Sequence, residues 1–128
     1  MKEELNSTLR LGALLAAFGV VAGAFGAHAL RGALEPYYFE IFEKAVLYHL
    51  VHAVGILSIC SLGSSGVLEI KTTKMISYLM AFGIIIFSGS LYILSVTGIR
   101  WLGAVTPLGG TAFIVSWILL FWAFRKRH

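Results

Sequence analysis

Four stretches of this chain carry no charged side chain, and their lengths decide what it can fold into. They lie between Arg10 and Arg31 (20 residues), Lys44 and Glu69 (24), Lys74 and Arg100 (25), and Arg100 and Arg125 (24). An α-helix rises about 1.5 Å per residue, so roughly 20 residues cross a hydrocarbon core about 30 Å thick. All four are long enough. None alternates with period two, and four strands are too few to close a membrane barrel. Only 12% of the 128 residues are charged and 59% are hydrophobic, with a mean hydropathy of +0.88. A soluble domain carries about 25% charge, and so little cannot clothe a surface that faces water. We therefore read an all-α polytopic membrane protein. It forms one integral domain, 1–128, with transmembrane helices over approximately 11–30, 45–64, 75–97 and 102–124.

The first run has a basic flank and an "AHA" at Ala27–Ala29 that resembles a signal-peptide cleavage site. We take it instead as a retained first helix. An even number of spans puts both termini and the 63–74 loop on one side. That side has seven basic residues, Lys2, Arg10, Lys71, Lys74, Arg125, Lys126 and Arg127, against Arg31, Lys44 and Arg100 on the other. Lys and Arg in short flanking loops favour the cytoplasm, so both termini are expected inside, at a bacterial inner membrane. The net charge of +4 comes from these flanks, which make no patch for a nucleic acid.

Within the first run Gly12, Ala16, Gly19, Gly23 and Gly26 recur at steps of 4, 3, 4 and 3, on one side of a helix. Small residues let backbones approach closely in lipid, so this is a helix-packing seam, either within the chain or between copies. Leu34, Tyr37, Tyr38, Ile41, Phe42 and Ala45 have amphipathic helical spacing, with Pro36 suited to a first turn. They predict an interfacial helix over 35–44 that lies along the membrane and bends into helix two. The segment "GSSGVLEIKTTK" reads as a flexible linker. Helix three sets Ser77, Ser88 and Ser95 on one stripe, as interhelical glue or a polar path. Before helix four, Pro107, Gly109 and Gly110 leave three readings open: a helix that starts at Pro107, a kinked one, or a broken one.

Chemistry has few candidates. His28 closes helix one, and His49 and His52 open helix two on a shared face, so the three are expected together near the outer surface. Neutral imidazoles so placed can ligate a transition metal, carry a proton, or tie helices together. No Asp, Glu or Cys stands three or four residues from His49 to complete a metal shell. Lone Cys60 cannot form a disulfide within the chain and reads as a small buried hydrophobe. Glycine-rich nucleotide motifs, CxxC, HExxH and GxSxG are all missing.

The segments "GAFGAHAL" (23–30), "YHLVHA" (48–53) and "TPLGGTAFIVSW" (106–117), in that order, resemble the small membrane proteins catalogued as domain of unknown function family 423. The resemblance covers nearly the whole chain. It implies a four-helix membrane protein in which His28, His49 and His52 belong to shared motifs, and it implies no activity or cofactor. The functional expectation is a non-enzymatic membrane unit, homo-oligomeric, that permeates or binds a small ligand. A metal or redox accessory protein and a structural subunit of a larger membrane complex are the alternatives. From the charge bias, a reporter fused to the C-terminus should be active in the cytoplasm. Periplasmic activity of the full-length fusion would reverse the topology.

Overall fold

The computed structural model describes residues 3–125; Lys2, Lys126, Arg127 and His128 lie outside the described residues. All secondary structure among the described residues is helical, and four helices are long and apolar enough to cross a membrane. They are α1 (Glu3–Leu30), α2 (Pro36–Ser64), α3 (Ile70–Thr97) and α4 (Arg100–Arg125). α1 and α3 each contain a π-turn, at Ala22–Gly26 and Ile84–Ser88. α4 opens with a 3₁₀ turn, Arg100–Ala104, ahead of its regular helix Thr106–Arg125. At 26 to 29 residues, the helices are roughly 40 Å long and overrun the hydrocarbon core at their ends. The three connections contain Gly32, Gly66 and Gly98, each with positive φ. At Gly98 this conformation closes α3, whose Leu94 carbonyl accepts the Gly98 N–H at 2.7 Å.

Each helix packs antiparallel on the next, with α2 and α3 at the centre. Ala53, Ile56, Ile59 and Cys60 of α2 meet Ile76, Met80, Ala81 and Ile84 of α3, and Phe113 of α4 closes this core. Burial is uneven. In the most apolar 18-residue window, 44% of residues are buried in α2 and α3, 28% in α4 and 6% in α1. α1 is thus held along one edge and leaves the rest of its circumference open.

That edge is the glycine stripe. A Cβ on Gly12 would stand 2.8 Å from Ile56 Cγ2, one on Gly19 2.6 Å from Leu50, one on Gly23 3.1 Å from Val46, and one on Gly26 2.9 Å from Phe42. Partners descend α2 as the glycines ascend α1, which is the register of an antiparallel pair. Ala16, on the same stripe, packs partly buried against the core. The seam lies inside the chain.

α3 and α4 cross still more closely. A Cβ on Gly83 would meet the Phe113 ring at 2.5 Å and the Gly109 carbonyl at 3.2 Å, and one on Gly109 would overlap the backbone N of Phe87. Gly109 is therefore a packing residue in a continuous helix. Of the three readings left open at Pro107, the structure takes the first, with Thr106 and Pro107 in the opening turn. Gly109 and Gly110 break nothing, because α3 fills the space beside them and their backbone groups stay inside the helix.

Two other expectations need correction. Residues 36–44 are helical but are not a separate interfacial element: α2 runs unbroken from Pro36 to Ser64. No glycine or proline follows Pro36 before Gly55, and buried Phe42 is pinned between Gly26 and the Tyr92 ring, 5.3 Å away. The inner connection is short and ordered, since Val67 and Leu68 both donate backbone N–H groups to Leu62 and Leu68 is buried. Its polar composition hid one apolar anchor.

Gly109→Ala should lower stability in detergent by about 1–3 kcal/mol, the usual cost of overpacking a tight contact. Gly89→Ala, where a Cβ meets nothing within 4 Å, should be neutral or stabilising. Equal melting temperatures for the two variants would contradict the crossing described above.

Candidate functional site

His49 and His52 lie at the middle of α2, not at its mouth, because the helix begins at Pro36. Both are buried at this depth, where lipid offers an imidazole no hydrogen bond. His49 is 2.7 Å through Nε2 from the Leu15 carbonyl oxygen of α1 and 2.9 Å through Nδ1 from the Tyr92 hydroxyl of α3. A carbonyl only accepts, so in the neutral ring Nε2 carries the proton and Tyr92 donates to Nδ1. One side chain thereby joins three helices.

Gly19 makes that reach possible. In a helix the Cβ leans toward the N-terminus, over the carbonyl about one turn back. Gly19, four residues after Leu15, has no Cβ, and one placed there would stand 3.3 Å from the His49 ring. The missing side chain uncovers a carbonyl and leaves room for an imidazole.

His52 is wired the opposite way. Its Nδ1 lies 2.8 Å from the Tyr48 carbonyl of its own helix, and Trp117 of α4 donates its indole N–H to Nε2 at 3.0 Å. The proton must then sit on Nδ1, since an indole N–H only donates. Phe113 stacks on the imidazole, with ring centroids 3.5 Å apart and planes 12° apart. Tyr48 and Phe87 extend this cluster, their ring centroids 4.7 Å apart.

The serine stripe is also spent on structure. Ser88, at the end of the α3 π-turn, donates to the Ala45 carbonyl of α2 at 2.8 Å. Ser77 faces the Cys60 sulfur at 3.8 Å, and Ser95 donates to the Tyr92 carbonyl of its own helix. All three are buried. Ser90 adds a tie to Thr106 of α4 at 2.7 Å. Among the described residues only the Thr8 hydroxyl is a buried side-chain polar atom without a partner.

His28 stands apart from this network. It is exposed near the end of α1, whereas Gly19, nine residues deeper, is the residue level with His49. The expected three-histidine cluster does not form, because it assumed that α2 starts at residue 45. No three His, Cys, Asp or Glu side chains among the described residues are grouped to share a metal ion. The two acceptor lone pairs of His49 and His52 already face Tyr92 and Trp117.

The pattern of the family described as "Protein of unknown function (DUF423)" matches residues 22–110, more than half of the chain. The chain belongs to the DUF423 family. It is 48% identical over 112 residues to the UPF0382 membrane protein YwdK of Bacillus subtilis, covering 86% of this chain and 89% of that one. It is 47% identical over 110 residues to a UPF0382 membrane protein of Staphylococcus saprophyticus, covering 86% and 89%. A UPF0382 membrane protein of Staphylococcus epidermidis is 44% identical over 110 residues, with 86% and 88% covered. No solved structure matches the chain. The matched DUF423 region includes His28, His49, His52 and Tyr92, while Leu15 and Trp117 lie outside it.

Sequence reasoning picked out the two α2 histidines but missed Tyr92, Trp117 and the Leu15 carbonyl. For Trp117 a signal existed. Indoles belong at the membrane interface, and Trp117 is eight residues from the end of α4, about 12 Å inside it. An N–H at that depth needs an acceptor. Nothing in the sequence marks the carbonyl of one leucine.

Replacing one partner should cost more than replacing both, because the survivor is stranded without water. His49→Leu should destabilise the DUF423 chain by about 1–3 kcal/mol. Adding Tyr92→Phe should restore part of that loss rather than add to it. Additive losses in thermal unfolding would show that the two side chains do not interact.

Proposed function

We propose that this DUF423 protein is a non-enzymatic subunit of the bacterial inner membrane, with both termini in the cytoplasm, that works by assembling with copies of itself. One observation carries the reading: the two buried histidines and Ser88 of the bundle interior are occupied by bonds that tie one helix to another. Both nitrogens of His49 and of His52 are bonded within the chain, and Ser88 is bonded to the α2 backbone. An acid–base or metal centre needs a lone pair or proton free to face a substrate. A permeation path through one copy would need the hydroxyls of α3 to face an opening, yet Ser88 and Ser95 are turned onto backbone carbonyls. Permeation or small-ligand binding is therefore assigned to the boundary between copies.

α1 is the element suited to that boundary. Its glycine side is consumed against α2, while Phe18 and Phe25 on the remaining circumference are 58% and 72% exposed. Ala13, Ala17 and Ala24 are exposed with them, on the face turned away from the glycines. Small residues at such spacing allow a second helix to approach closely.

In a Cys60→Ala background, Ala17→Cys should give a disulfide-linked dimer in native membranes. Val51→Cys, on the exposed side of α2, should not. Monomers alone in both cases would sink the assembly. The rival metal reading is tested directly, because purified protein should carry no stoichiometric transition metal. Metal at one equivalent, lost in His52→Gln, would replace this proposal with that rival.

A further inference from the structure

The rim of the bundle away from the termini is formed by the connections 31–35 and 98–99, and three cations mark it. Two are engaged by the protein. Lys44 pairs with Glu40 at 3.6 Å, and the Arg31 guanidinium lies 5.6 Å from the centre of the Phe39 ring. Arg100 is different. Among the described residues no ion pair, hydrogen bond or ring contact holds it. It lines a cavity of about 400 Å³ with Tyr37, Tyr38, Leu94 and Gly103, and no carboxylate contributes to the wall.

Each wall of this cavity has a structural reason to be there. Tyr37 and Tyr38 are set at the start of α2 by Pro36, and their rings meet edge to face with centroids 5.2 Å apart. Among the described residues neither hydroxyl has a hydrogen-bond partner. The left-handed turn at Gly98 carries the chain from α3 past the Tyr38 hydroxyl and delivers Arg100. Buried Leu94 supplies an apolar floor, and Gly103 lines the cavity beside it without a side chain. Trp101, next to Arg100, is 68% exposed, and at such a boundary an indole marks the level of lipid headgroups.

We propose that this cavity binds the phosphate group of a membrane phospholipid. The guanidinium presents paired N–H donors that match two phosphate oxygens, and the two phenols supply further donors. The apolar floor and adjoining lipid-facing helix surface take the start of the acyl chains. A phosphate in this place also gives Arg100 the counter-charge that the protein withholds. The ligand chemistry could be met by a soluble phosphate ester, but the apolar floor and the position in the rim commit the site to a lipid. The site lies within a single copy and stands whether or not the chain self-associates.

The test is native mass spectrometry of the full-length protein in detergent, loaded with phosphatidylglycerol or with diacylglycerol of the same acyl chains. Wild-type protein should retain phosphatidylglycerol and release diacylglycerol, and free glycerol phosphate should not displace the bound lipid. Arg100→Gln should lower retention about tenfold, the loss of one charge-assisted contact of moderate strength. Lys44→Gln, which removes a cation already paired, should leave retention unchanged. Arg100→Lys keeps the charge without the fork, and should fall between wild type and Arg100→Gln with an unchanged melting temperature. Equal retention by wild type and Arg100→Gln, or equal retention of the two lipids, would overturn the site. Displacement by glycerol phosphate would overturn its assignment to lipid.

Discussion

His49 joins three helices through two hydrogen bonds, and the bundle is arranged around that tie. Lipid offers no substitute partner, so a buried imidazole has to be satisfied by the protein. The Leu15 carbonyl of α1 and the Tyr92 hydroxyl of α3 do so, one at each ring nitrogen. Such bonds add modest stability, on average about 0.6 kcal/mol each in a membrane, because the separated helices also find partners. Their larger effect is on register. Sliding α1 by one turn would carry the Leu15 carbonyl about 5 Å from the ring and break the bond.

The glycines make this polar arrangement compatible with close packing. Gly12, Gly19, Gly23 and Gly26 bring α1 down onto α2 along its length, and Gly83 and Gly109 bring α4 onto α3 at one crossing. Association of helices in lipid depends on van der Waals contact, which falls away with small gaps. The two crossings differ in tolerance. Along α1 the opposing atoms all belong to side chains, whereas at Gly109 the opposing atoms include the Phe87 backbone.

His49 and His52 share a face and a depth but have opposite tautomers, each set by an unchangeable partner. A carbonyl fixes the proton on Nε2 of His49, and an indole N–H keeps Nε2 of His52 free to accept. Both rings thus spend their nitrogens on neighbouring backbone and side chains, while the circumference of α1 and the rim around Arg100 stay open.

The spacing of charges alone determined that the chain is helical, crosses a membrane and does so four times, because only a helix satisfies its own backbone over about 20 residues. The glycine periodicity likewise marked the packed side of α1. The sequence did not determine where helices begin: Pro36 suits a first turn, and no glycine or proline between 37 and 54 stops the helix that follows. That error in the start of α2 displaced His49 and His52 toward the surface and gathered His28 with them. Only tertiary structure decided which carbonyl meets His49, which indole meets His52, and that Gly109 packs rather than breaks. Those partners lie 34, 65 and 22 residues away, and depth and rotation of neighbouring helices bring them together. Local periodicity records which side of a helix is buried, but not the level at which its neighbour stands.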